Sequence, residues 1–93
     1  MAMLFDTKQE KFVLAVEESK DGKIFINGEH VRAYVSTYTS IGGPKAVLMA
    51  WDDEMGFYEP WNTWYPAKDM DGAWKDALSW AQAEEIPAIR NAA

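Results

Sequence analysis

Ninety-three residues suffice for one domain with a single closed core, and 48% hydrophobic against 26% charged residues marks a globular chain. Cysteine is absent, which excludes disulfides and thiolate metal sites, and a net charge of -6 argues against direct binding of nucleic acid, which wants a basic stripe. The longest wholly apolar run is Ala46 to Trp51, far short of the ~20 residues of a membrane helix, and the amino-terminal stretch meets charge at Asp6 without a signal-peptide core.

Lys11 to Glu18 alternates, with Phe12, Leu14 and Val16 on one face, and predicts a strand over 11–18. Ser19-Lys20-Asp21-Gly22 is a turn, because Asp and Gly tolerate the left-handed backbone of a tight reversal. Residues 23–27 return as a second strand with Ile24 and Ile26 inward, and Asn27-Gly28 is another turn signal. A longer alternating strand follows over 29–41. Its odd positions Val31, Ala33, Val35 and Thr37 can face a core, which leaves His30, Arg32, Tyr34, Ser36 and Tyr38 on the opposite face.

Gly42-Gly43-Pro44 ends that strand, 45–51 is a fourth, and 56–59 is a short fifth beyond an acidic loop. Pro60 and Pro66 bracket an aromatic segment expected to be irregular, since proline withholds a ladder donor. Asp69 suits the N-cap of a helix over 70–85, and Asp71 in its first turn complements the helix dipole. Met70, Trp74, Ala77, Leu78 and Ala81 share one stripe, with Trp80 on its flank. Ile86-Pro87 stops the helix, and the tail over 86–93 frays unless Ile86 or Ile89 docks.

Strands followed by one helix predict a single α+β domain over 1–93: a four- to five-stranded antiparallel β-meander followed by one C-terminal α-helix packed on one face. One helix covers one face of such a sheet. The other, carrying Tyr34 and Tyr38, is then exposed or taken by a partner.

The functional signal is concentrated between Trp51 and Tyr65, where six aromatic residues stand among four acids with no Lys or Arg. Residues 1–50 balance six acids with six bases, whereas residues 51–89 carry nine acids against Lys68 and Lys75. Large rings fill the cores of small domains, and Trp51, Phe57, Trp61, Trp64 and Tyr65 can do so here. They are equally the side chains that anchor interfaces. The candidate partner-binding surface therefore comprises Asp52, Asp53, Glu54, Tyr58, Glu59, Trp61, Trp64, Asp69 and Asp71, with Arg32, Tyr34 and Tyr38 as a secondary surface. Its carboxylates would meet Lys and Arg of a basic partner, and opposite charge would speed encounter.

No catalytic or metal-ligating set emerges, and no cofactor is expected. His30 is the only histidine, Asp52 to Gly56 lacks the alternating ligands of a calcium loop, and Gly42 to Lys45 lacks phosphate-loop spacing.

The run Trp74-x-x-Ala77-Leu78-x-Trp80-Ala81-x-x-Glu84-x-Ile86-Pro87 resembles the terminal helix of many small proteins of phages and mobile elements. A short, acidic, cysteine-free chain is also similar in style to anti-CRISPR and other anti-defence proteins. That resemblance implies a non-enzymatic inhibitor acting in the cytoplasm of a bacterial host, where it occludes a host protein or nucleoprotein complex whose basic surface holds nucleic acid. No family site residue carries over. Two other classes stay open. One is a small-ligand or carbohydrate-binding module stacking on Trp61, Trp64 and Tyr65; the other is a homo-oligomeric accessory protein, such as a homodimer.

Overall fold

A computed structural model describes residues 2–6, 11–13, 17–18, 21–26, 28–63 and 67–91. The longest ladders come from β6 (Ala33–Ser40), β7 (Gly43–Asp52) and β8 (Phe57–Thr63), three antiparallel strands in succession. Gly43, at a φ of 105° that L side chains resist, lets the chain reverse between β6 and β7. The helix α1 (Met70–Glu84) follows β8, so the domain is α+β with largely antiparallel strands.

The sheet is wider than the meander alone, because both chain ends add to it. β1 (Ala2–Asp6), β2 (Lys11–Val13) and β9 (Ala88–Asn91) complete a six-stranded sheet in the order β2-β1-β9-β6-β7-β8. β9 lies parallel to β6 and antiparallel to β1, which makes one ladder of the sheet parallel. The amino-terminal residues, given no strand from sequence, thus form an interior one. The tail docks through Ile89, which is 5% exposed, and so meets the condition on which its order depended.

Three further strands form a small second sheet: β3 (Glu17–Glu18), β4 (Ile24–Ile26) and β5 (Glu29–His30). Glu17 and Glu18 pair with Phe25 and Ile24, as a hairpin about Asp21-Gly22 requires. The predicted strand 11–18 is therefore divided, its start in the large sheet and its end in the small one. Leu14, Val16, the turn residues Ser19 and Lys20, Asn27, and the segment Trp64, Tyr65 and Pro66 lie outside the described residues.

The predicted strand 29–41 also breaks, at Val31-Arg32. The reason is a change of hydrogen-bond partner. Val31 N–H donates to the Ile24 carbonyl of the small sheet at 2.8 Å, and one residue later the Arg32 carbonyl accepts from Trp51 N–H of the large sheet at 2.9 Å. The fifth strand, expected to end at 59, instead runs through Pro60 to Thr63. β8 is an edge strand with a bulge where the register shifts between Leu48 and Met49, the two settings in which a sheet tolerates proline.

The helix starts as its sequence predicts. The Asp69 carboxylate accepts from Gly72 N–H at 2.8 Å, and Asp71 lies in the first turn. At the other end Glu85 adopts a left-handed conformation while Ile86 N–H donates to the Ala81 carbonyl at 3.0 Å, closing the last turn. Ala73, Trp74, Ala77 and Ala81 are buried, Leu78 is half-buried, and Met70 stays exposed at the helix start. Small alanines bring the helix close to the sheet, where Val35, Ala46 and Ala88 complete the main core with Phe5, Leu48, Trp80 and Ile86 around it.

A second cluster occupies the opposite face, where Ile24, Val31 and Ile89 pack with Ile26, Tyr34 and Tyr58. The small sheet caps that half of the face. Tyr34, expected on an open surface, is consequently half-buried.

Candidate partner-binding surface

The acidic loop between β7 and β8 is built by its own side chains. Asp52 Oδ1 accepts from Glu54 N–H at 2.9 Å and Met55 N–H at 3.0 Å, and Gly56 N–H closes the turn on the Asp52 carbonyl at 2.8 Å. Gly56 takes a positive φ of 75°, which a residue without Cβ adopts freely. Asp52 is thus committed to loop structure.

Asp53 forms a two-point pair with Arg32, Nη1 to Oδ1 at 3.1 Å and Nη2 to Oδ2 at 2.6 Å. The guanidinium holds the Asp53 carboxyl below its ordinary range, and the carboxylate raises Arg32 in turn. Glu59 faces the reverse situation. Desolvation, then its hydrogen bond and repulsion with Asp52, push its carboxyl above the ordinary value. Glu54 is exposed.

Tyr58 is a clamp between the two sheets. Its hydroxyl accepts from Ile24 N–H at 3.0 Å and donates to the Val31 carbonyl at 2.7 Å. Burial raises its pKa. The ring sits 4.9 Å from Trp51 and 5.0 Å from Tyr34, both edge-on, the geometry aromatic quadrupoles favour. His30 joins the cluster 5.2 Å from Trp51 and 5.6 Å from Phe25. Tyr58 and Trp51 therefore spend their area on the fold.

Other apolar groups face water. Trp61, the extra residue of the β8 bulge, is 72% exposed, Met55 64% and Phe57 46%. Bulges re-aim side chains, and here one turns an indole out of the edge strand. Phe57 is exposed because the strand alternates and the helix packs over β6, β7 and β9, leaving that side of β8 uncovered. Phe57 and Met55 were not in the sequence-derived surface; the alternation of Phe57 with Tyr58 was the available signal.

The six candidate carboxylates divide into two groups. Asp52, Asp53, Glu54 and Glu59 lie at the β7–β8 end of the sheet. Asp69 and Asp71 lie at the β6–β7 end, where Ala67 N–H donates to the Pro44 carbonyl at 2.7 Å. With ~3.3 Å per strand residue, Pro44 and Asp52 stand roughly 26 Å apart along β7. Asp69 caps the helix, and Asp71 lies 3.9 Å from Arg90, whose guanidinium covers the Trp74 ring at 5.5 Å. Trp64 is outside the described residues. Of the secondary surface, Arg32 belongs with Asp53, Tyr34 is half-buried, and Tyr38 is 50% exposed.

Among the described residues no three His, Asp or Glu side chains converge as a metal site requires, and no helix is long and apolar enough to cross a membrane. The arrangement defines a two-sheet α+β domain with an acidic, aromatic edge at one end. No protein family, curated protein or solved structure matches the chain.

Proposed function

We propose that this chain is a non-enzymatic protein-binding inhibitor, phage-encoded and of the anti-defence kind, which occludes a basic nucleic-acid-binding surface of a host complex in the bacterial cytoplasm. The observation that carries the reading is Trp61, an indole 72% exposed on an edge strand, in a hairpin that also exposes Met55 and Phe57 and carries Glu54 and Glu59. Exposed aromatics rimmed by charge are the anatomy of an interface, in which the ring supplies desolvated contact and the carboxylates select a basic partner.

The working group is the β7–β8 end alone. Asp52 and Asp53 are engaged within the domain and Glu59 shares a hydrogen bond with Asp52, so Glu54 presents the freest charge to the partner, with Glu59 behind it, while Trp61 anchors it. Asp69 and Asp71, at the far end, support the helix.

The test is a tagged pull-down from bacterial lysate with washes at low and high salt, in parallel with Trp61→Ala and the double variant Glu54→Lys, Glu59→Lys. One dominant nucleic-acid-binding complex, released by salt, is expected. Trp61→Ala should weaken it by ~2 kcal/mol, about thirtyfold. The double variant should flatten the salt dependence. Retention untouched by either change would remove the surface from the proposal.

A further inference from the structure

The sheet face opposite the helix is only half covered. Beyond the small sheet, a groove of about 430 Å³ runs along β6 and β7, lined by Tyr34, Ser36, Tyr38, Lys45, Val47, Met49 and Pro60 among others. Its volume falls within the range of small-ligand sites, and its walls follow their usual pattern of apolar and aromatic surface with few polar groups.

Its electrostatics run against the rest of the molecule. The chain carries -6 overall, yet among the described residues the groove is lined by one cation and no carboxylate. Lys45 stands directly opposite Tyr38 in the ladder, its ammonium 5.1 Å from the ring centroid. Among the described residues it forms no ion pair. The cation–π contact holds the charge at the groove rim without neutralising it. Ser36 Oγ is directed to the Thr37 carbonyl at 3.3 Å, which leaves Lys45 as the charged determinant of binding.

The acidic loop does not cancel this field. Asp52 is seven residues along β7, roughly 23 Å at ~3.3 Å per residue, against a screening length of about 8 Å at physiological salt. Asp69 and Asp71, at the same end of the sheet, belong to the start of the helix on the other face, where Asp69 accepts from Gly72 N–H and Asp71 lies near Arg90.

We infer that this groove is a binding site for a small planar aromatic anion, whose rings lie against Tyr34, Tyr38, Met49 and Pro60 while its acidic group meets Lys45. The site does not rest on the partner-binding reading and shares none of its proposed anchors.

The experiment is a fluorescence titration of the intact protein with 8-anilinonaphthalene-1-sulfonate and with N-phenyl-1-naphthylamine, which keeps the aromatic rings and lacks the sulfonate. Saturable binding of the sulfonate at one per chain is expected. Lys45→Glu should weaken it about tenfold, as loss of one ion pair followed by repulsion implies, while affinity for the neutral probe stays within about twofold. Near-ultraviolet circular dichroism of the variant reports whether its packing is intact. Independently of any variant, methyl-labelled methionine in the unaltered protein should show Met49 shifting with the sulfonate while Met55 and Met70 stay still. No saturable binding, equal weakening of both probes, or a silent Met49 overturns the assignment. So does a stable dimer that admits the probe only on dilution, which would give the groove to a second copy of the chain.

Discussion

At the scale of single residues, the aromatic cluster between the sheets joins a polar requirement to an apolar place. Tyr58 fits both, because its hydroxyl satisfies one donor and one acceptor of the crossing backbone while its ring packs against Trp51 and Tyr34. His30 does not. Its Nε2 is buried without a hydrogen-bond partner among the described residues, and desolvation, followed by the charges of Arg32 and Lys23, lowers its pKa below the ordinary 6.5, against a smaller opposing pull from Asp53. The unfolded chain then binds a proton more readily than the folded one as pH falls through 6.5. Stability from this group is complete above that pH and is lost progressively below it. The melting temperature should therefore drop between pH 7.5 and 5.5, and His30→Phe should remove most of that drop. An identical pH profile in the variant would assign the acid sensitivity to other groups.

At the scale of elements, β8 shows how an edge strand is kept from pairing with another chain. Pro60 removes a donor, and the bulge at Trp61 breaks the flat run that a second strand needs. Pro60→Thr should restore a pairing edge, and its apparent mass in size-exclusion chromatography should rise with concentration relative to the parent chain. A concentration-independent elution would show that the bulge suffices alone. The sequence placed Pro60 and assigned it the right physical property, a missing N–H. It could not show that the strand holding it lay on an edge, since edge and centre differ only in what lies alongside. The helix was more legible: the Asp69 cap, the Trp74, Ala77 and Ala81 stripe, and the stop before Pro87 all depend on neighbours within a few residues.

For the molecule as a whole, the weight rests on its two ends. β1 and β9 lie inside the large sheet, and β9 joins the amino-terminal strand to the meander. Ile89 is buried in the second cluster beneath the small sheet, so Ile89→Ala should cost about 2–5 kcal/mol. At ~1–3 kcal/mol per molar urea, the midpoint should fall by at least about 0.7 M. A change within error would mean that the tail is held by its backbone ladder alone. The partner surface has the same dependence on long-range order: Asp52, Asp53, Glu54 and Glu59 stay together because one hairpin carries them, whereas Asp69 and Asp71 go to the other end with the helix. Sequence by itself determined what short-range chemistry controls: the alternating strands, the glycine turns, the helix with its caps, the acidic excess and the aromatic content. Only the tertiary structure decided which rings point outward, where the chain ends dock and which face keeps a groove, because those outcomes depend on contacts between segments far apart in the chain.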